Sequence, residues 1–386
     1  MRQLRIPAML VVFGLLAAAC GQSGPSGALT EIPAAEGELN LVIWTGYAED
    51  GTNDPAYDWV TPFEDETGCQ VNSTDMTDSA NGVELMQSGQ YDGGALSGDA
   101  TLRLIAGGDV APVNTDLIPN YEDVFENLKG QPHNTVDGVP YGVPQGWGAN
   151  ILIYNTDTFT SAPTNWDSVW DPDSAAAGHI SVINSSIFIA DAAMRLKTTN
   201  DNEFGIDNPY QLTEEQFNAA VDLLTAQHDI VSEYWNYATD QITSFGSGAS
   251  LAGMTWQYQV NSLPDAPVAA VTPSDYATGW SDTWMIASEA AHPGCMYRWM
   301  DWIISPEANA LSTIWFGEAP VSQAACDAAE AISPGHCDTF HATDNAYHDF
   351  LEFWETPRED CNDTDDATTC KSIEDWINAW TTITGS

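Results

Sequence analysis

An α/β fold in two lobes is what this 386-residue chain predicts, and three observations carry it. Strand-like and helix-like segments alternate along the chain, the pattern of largely parallel sheets covered by helices. About 350 residues remain once an N-terminal leader and spacer are set aside, more than one hydrophobic core usually serves. The composition is globular, 43% hydrophobic with 15 Trp, and no segment after the leader has the length and apolarity of a transmembrane helix.

The leader comes first. MRQLR carries two arginines, IPAMLVVFGLLAAA is an unbroken apolar run, and Cys20 follows three alanines. A basic start, a short apolar core and small residues before a cleavage point make a secretory signal peptide. The cysteine resembles that of a bacterial lipobox, so residues 1–20 are expected to be a lipoprotein signal with Cys20 as the lipidated first mature residue. A lipobox usually has leucine three places before the cysteine; here Ala17 stands there and Leu16 one further back. The alternative is a plain cut after Ala19 that leaves a free thiol. Both readings place the chain outside the cytoplasm, periplasmic or at the cell surface. Residues 21–37 are rich in Gly, Ser, Pro and Ala without apolar period, and are expected to be a flexible tether.

The folded part is expected to begin near Glu38, with LNLVIW as its first strand. Asp54 and Pro55 suit the N-cap and first turn of a helix. Pro62 forces that helix to kink or to restart with Thr61 as cap and Glu64 three residues on. Gly68 ends it and CQV begins the next strand. ATLRLIAGG is a short helix closed by glycines. NILIYN, HISVIN, SLAGMTW and WSDTWMIA read as strands. TEEQFNAAVDLLTAQHDIV is the clearest helix, opened by the capping box of Thr213 and Gln216, and a later helix opens at Ser305 and Pro306.

Charge is extreme, with 9 Lys and Arg against 56 Asp and Glu. Nucleic acid is excluded as a partner, because phosphate binding needs basic patches. An acidic, lysine-poor surface stays solvated in saline surroundings, so net charge does not identify a ligand. Apart from Cys20 there are six cysteines, which allow 15 pairings. In an exported chain an even set implies disulfides. Proximity favours Cys326–Cys337 and Cys361–Cys370, leaving Cys69–Cys295. No C-x2-C pair supports zinc.

Enzyme signatures are missing: no G-x-S-x-G, H-E-x-x-H, P-loop or G-x-G-x-x-G occurs. His341 and His348 lie near Asp344 and Asp349, a potential metal cluster or solvated loop residues. The loop between Cys361 and Cys370, with Asp363 and Asp365, lacks the central Gly and distant Glu of a calcium loop. No metal and no cofactor are expected. Aromatic residues beside acids at strand ends stand out instead. Trp280 and Asp282 are two apart and face the same way on a strand; Ser97 and Asp99 have the same relation. Trp44 and Tyr47 follow the first strand, and Trp256 closes another. In open α/β sheets ligands bind beyond the carboxyl ends of strands. An organic cation needs a carboxylate for each ammonium and aromatic faces for its methylenes.

Over nearly all of residues 38–386 the chain resembles the spermidine/putrescine-type (PotD-like) substrate-binding proteins of bacterial ABC importers, most closely the YdcS branch. WTGYAEDG, YDWVTPFEDETGC, SGDATLRLI, NTDLIPN, QGWGANILIYNT, FIADAA, PYQLTEEQ, TGWSDTWM, HPGCMYRWMDW and WFGEAPV carry the resemblance. It implies a type II periplasmic-binding-protein fold, mixed and mostly parallel sheets with a hinge. The expected division is 38–146 plus 283–325 for lobe 1, 147–282 for lobe 2, and 326–386 as a disulfide-stapled segment packing across the lobes. By motif it implies ligand contacts at Trp44, Tyr47, Ser97, Trp256, Trp280, Asp282 and Glu318, with Asp99 added from its place beside Ser97. Where relatives carry acids, this chain has Gly46, Ser185 and Phe188, with Asp191 close but displaced; Asp99 replaces what is often an aromatic. The implied protein is a monomeric binding protein, not an enzyme, held to the membrane only by its lipid. It would capture a polyamine-like cation, putrescine or similar, for an ABC permease and its ATPase. A different solute, such as an amino-acid derivative or sugar, and a surface hydrolase are the alternatives.

Overall fold

The computed structural model describes residues 27–361 and 369–385. Its strands are β1 Glu38–Ile43, β2 Gln70–Asp75, β3 Gly93–Leu96, the two-residue pair β4 Thr135–Val136 and β5 Val139–Pro140, β6 Val143–Ala149, β7 Ile151–Asn155, β8 Ile180–Ile183, β9 Val231–Trp235, β10 Ala252–Thr255, β11 Val268–Val271, β12 Ala277–Ile286 and β13 Leu351–Phe353. Two sheets result. The first runs β13-β12-β3-β1-β2, with β6 also paired to β12, and the second runs β11-β7-β10-β8-β9. The two-lobed α/β expectation is met.

Pairing is parallel wherever a helix connects the strands, as between β1 and β2 or β8 and β9. It is antiparallel in β12–β6, β12–β3, β10–β7 and β11–β7. The antiparallel pairs arise where the chain changes sheet. It leaves the first sheet between β6 and β7, with only Asn150 between them, and returns between β11 and β12. β12 then runs unbroken for ten residues, all buried. A register shift falls between Asp282 and Thr283. Each sheet has its own apolar core, one around Phe63, Trp284 and Trp299 and the other around Leu152, Val182 and Trp376. The chain crosses once more near its end: β13 joins the first sheet, and the helix Ile373–Thr384 packs Trp376 and Trp380 into the second core.

Several elements depart from expectation. The helix after β1 spans Val60–Thr67 and starts at neither proposed cap. Asp54 instead turns the chain by accepting from the Ala56 amide, and Pro62 falls in the first turn, where no intrahelical N–H is needed. The short glycine-closed helix begins earlier, at Gly98. The stretch 27–37 is not a free tether. Leu29 and Ile32 pack against the first core, and both Glu36 oxygens accept from the Gly294 and Cys295 amides that open the helix Pro293–Ile303. A carboxylate at a helix N-terminus satisfies otherwise orphaned N–H groups; composition alone could not reveal that partner. Residues 1–26, with Cys20, lie outside the described residues, as do Asp363 and Asp365.

The three expected cysteine pairs are bonded: Cys69–Cys295, Cys326–Cys337 and Cys361–Cys370. The first joins segments 226 residues apart. Replacing Cys69 and Cys295 together by alanine should cost about 2–4 kcal/mol, as expected for a long closed loop. Denaturant melts check this; an unchanged midpoint would contradict it.

Candidate functional site

Gly46 lets the chain turn at the end of β1. Its φ is +97°, and a Cβ there would lie 3.1 Å from the Trp315 ring nitrogen. A larger side chain at this position would be both strained and crowded. The turn delivers Tyr47 into the interior, its ring edge-on to Phe316 at 4.3 Å. Its hydroxyl donates to Asp282 Oδ2 at 2.6 Å and lies 3.2 Å from Glu318 Oε2. Ser97 ends the loop after β3. Instead of capping the helix Gly98–Gly107 with its side chain, it donates through Oγ to Asp282 Oδ1 at 2.5 Å.

Asp282 lies on β12 opposite Gly146, and Trp280 opposite Gly148. These two glycines make the floor. A Cβ on Gly146 would lie 2.4 Å from the Glu318 carboxyl carbon, and one on Gly148 would lie 2.5 Å from the Trp280 ring. The Gly-Trp-Gly spacing in β6 therefore opens room for an acid and an indole on one face of the sheet. Glu318 is held from behind: Gln145 Nε2 donates to its Oε1 at 3.1 Å, and Trp284 Nε1 donates to Gln145 Oε1 at 2.6 Å. Trp280 stands edge-on to Trp256 at 5.8 Å and Phe316 at 6.0 Å. Beside Trp280 and Trp256 is a cavity of about 150 Å³, lined further by Phe340, His341 and Tyr347.

The eight residues expected to contact ligand thus divide. Tyr47, Ser97, Asp282 and Glu318 form one buried hydrogen-bonded cluster, with Trp280 and Trp256 adjoining it. Asp99 is buried but turns to Ser79, whose Oγ donates to it at 2.9 Å. Trp44 packs partly buried between two apolar clusters of the first lobe, its ring nitrogen without a hydrogen-bond partner. Sequence reasoning missed Gln145, and it missed a second polar relay at the crossover. Trp256 Nε1 donates to Asn150 Oδ1 at 2.9 Å, Asn150 Nδ2 donates to Thr278 Oγ1 at 2.8 Å, and Thr278 Oγ1 donates to Asp191 Oδ1 at 2.9 Å. Thr278 is four residues before Asp282 on the same strand, so strand period alone could have flagged it. His348 is neither a solvated loop residue nor a ligand in a metal cluster: it is buried against Trp147 and Phe353, while His341 stacks on Tyr347 at 3.8 Å. Among the described residues no group of three His, Cys, Asp or Glu side chains is placed to hold a metal ion.

Burial dominates the electrostatics. It pushes Asp282 up to about 6 against the lowering effect of its bonds to Ser97 and Tyr47, and the Asp99 charge adds to the rise. Burial likewise raises Asp99 to about 6, with Ser79 and Arg103 opposing, and Asp191 to about 7, with Thr278 opposing. Glu318 is raised well above the usual carboxyl range by burial and then by the Asp282 charge. Among the described residues no Lys or Arg forms a salt bridge with Asp282, Glu318 or Asp191.

Two α/β lobes joined by crossover strands, with a buried polar cluster where they meet, define a solute-binding architecture. The chain belongs to the bacterial extracellular solute-binding protein family, which it matches over residues 58–337. It is 22% identical over 290 residues to the putrescine/agmatine-binding protein of Pseudomonas aeruginosa, covering 70% of this chain and 77% of that one. Its fold is similar to that of a putative spermidine/putrescine ABC transporter protein from Listeria monocytogenes, with TM-score 0.71, 16% identity, and 90% of this chain and 99% of that chain covered. It is also similar to the binding protein MotA of A. tumefaciens B6, solved with glucopine, with TM-score 0.66, 17% identity, and 90% and 99% covered. No helix among the described residues is long and apolar enough to cross a membrane.

Raised carboxyl pKa values have a stability consequence. From about pH 4 to 6 the folded chain keeps protons on Asp282 and Asp99 that the unfolded chain has released, and on Asp191 to about pH 7. Stability of the ligand-free protein therefore falls as pH rises through this window. Calorimetric melting should show a higher Tm near pH 5 than near pH 8, and Asp191→Asn should shrink the difference. A fall of equal size in the variant would contradict this.

Proposed function

We propose that this protein is an extracytoplasmic solute-binding lipoprotein of an ABC importer. It captures a short polyamine-like cation between its lobes and delivers it to the permease. The observation that carries this reading is the Asp282 carboxylate, buried beside Trp280, with two neutral donors and, among the described residues, no cationic side chain paired to it. An ionised carboxylate removed from water is costly unless paired. An ammonium supplied by a ligand gives that pairing, and the faces of Trp280 and Trp256 suit the methylenes and charge of an alkylamine. The names of the Pseudomonas and Listeria relatives support an amine. MotA, of similar fold, was solved with glucopine, which favours testing other solutes beside amines.

Ligand bound between the lobes favours the closed state. The protein acts as a monomer and carries no catalytic machinery; binding and release are its chemistry. Cys20, lipidated, would moor it to the membrane. Because the chain from Gly27 onward is docked, the seven steps from Cys20 to Gly27 span at most about 25 Å. The first lobe is thereby kept close to the membrane that holds the permease.

Thermal-shift measurements with putrescine, agmatine, spermidine, glucopine and a neutral sugar test the ligand class, since a ligand that binds only the folded form raises Tm. The short diamines should give the largest rise; a rise with the sugar alone would overturn the amine reading. Asp282→Asn should cost several kcal/mol of putrescine binding, as when one partner of a buried ion pair is lost, and unchanged affinity in calorimetry would contradict the assigned role. Mass analysis of the mature N-terminus should show diacylglyceryl-modified Cys20; an unmodified cysteine would remove the mooring.

A further inference from the structure

The hydrogen bonds around Tyr47 constrain where protons sit. A phenol has one proton to donate. Tyr47 Oη is 2.6 Å from Asp282 Oδ2 and 3.2 Å from Glu318 Oε2. The shorter contact takes the phenol proton, so the longer one is a hydrogen bond only if Glu318 provides a proton of its own. Gln145 Nε2 donates to Glu318 Oε1, which leaves Oε2 as the protonated oxygen. Ser97 fills Asp282 Oδ1 as a donor, so Asp282 accepts at both oxygens and is the carboxylate of the pair. The chain of donors runs Glu318, Tyr47, Asp282, with Ser97 closing the far end. Two buried carboxyls share one acid proton.

We propose that capture of a cation at Asp282 expels this proton, so that the site exchanges the acid proton of Glu318 for the ammonium of its ligand. An ammonium donating to Asp282 replaces the Tyr47 donor there. The phenol proton then turns to Glu318 Oε2, which already holds a hydrogen, and the carboxyl hydrogen leaves to solvent. One positive charge enters and one proton departs; no covalent bond other than that O–H is broken. The inference rests on the amine reading of the site and adds to it a dependence on pH.

The other groups facing this pair are few. Asp99, at the start of the helix Gly98–Gly107, acts on Asp282 through its charge, and Arg103 of the same helix offsets Asp99. From the helix Pro306–Phe316, Ser312 meets Gln145 rather than Glu318. His336 Nε2 lies 2.9 Å from the Glu318 main-chain oxygen, so that nitrogen carries a hydrogen, and burial disfavours the charged ring. None of these is a base hydrogen-bonded to the Glu318 carboxyl, so among the described residues its proton has no internal acceptor beyond Tyr47. Burial and the adjacent Asp282 charge favour the protonated form of Glu318 in the ligand-free protein.

Glu318→Gln is the informative substitution. Its amide nitrogen can donate to Tyr47 and its oxygen can accept from Gln145, so it imitates the protonated acid but has no proton to lose. Titration calorimetry of putrescine near pH 7, in buffers of different ionisation enthalpy, should show close to one proton released per ligand. Affinity should fall by up to about tenfold per pH unit on acidification. The Gln variant should show no release near pH 7 and a flat response above about pH 6, below which Asp282 itself takes up a proton. Putrescine binding to the wild-type protein without proton release would overturn this inference and leave the amine reading standing. No binding of any amine to the wild-type protein would overturn both. A ligand-free check is infrared spectroscopy: the protonated-carboxyl absorption near pH 7, to which Asp191 also contributes, should lose intensity in Glu318→Gln, and a spectrum unchanged by the substitution would also overturn it.

Discussion

Asp282 is a carboxylate buried on a central strand with no Lys or Arg paired to it among the described residues, and much of the surrounding architecture answers to that fact. The group costs several kcal/mol to take out of water as an ion. Two neutral donors from separate elements, Tyr47 after β1 and Ser97 after β3, reduce that cost without cancelling it. Each donor needs a local arrangement to reach the site: the left-handed turn at Gly46, and a helix start that gives up its side-chain cap. Gly146 and Gly148 clear the floor under Glu318 and Trp280. The resulting site is incomplete in charge, the gap that the proposed cationic ligand would fill.

The crossover carries a separate network that links strands of the two sheets. Trp256 closes β10 in the second sheet and Asn150 lies between β6 and β7. Thr278 is on β12, and Asp191 belongs to the helix Phe188–Thr198. Both passages between the sheets are thus tied to the second lobe by side chains whose polar ends are buried. Trp280 and Asp282 follow Thr278 on the same face of β12, so the relay and the charged site share one rigid strand. Phe316 packs against both cores next to Tyr47 and Trp280, which places an apolar contact at the same junction.

Much of the fold was legible because its signals are local. Strand runs such as LNLVI and ILIYN, the Thr213 capping box and the closing Gly68 depend on neighbours in sequence, and they appear where expected. Spacing also put Trp280 and Asp282 on one face. What could not be read depends on distant partners. Glu36 looks like a spacer residue until the amides of Gly294 and Cys295 are placed beside it. Asp99 has the spacing of a ligand contact, yet Ser79 claims it. Gln145 looks unremarkable in sequence, and only the bulge between Asp282 and Thr283 brings it between Trp284 and Glu318.

A crystal structure of the complex with putrescine tests the central claim most directly. The account predicts an ammonium nitrogen within hydrogen-bonding distance of the Asp282 carboxylate, its methylenes against Trp280, and the Tyr47 hydroxyl turned from Asp282 toward Glu318. Ligand density elsewhere, with the bonds from Tyr47 and Ser97 to Asp282 intact, would contradict it.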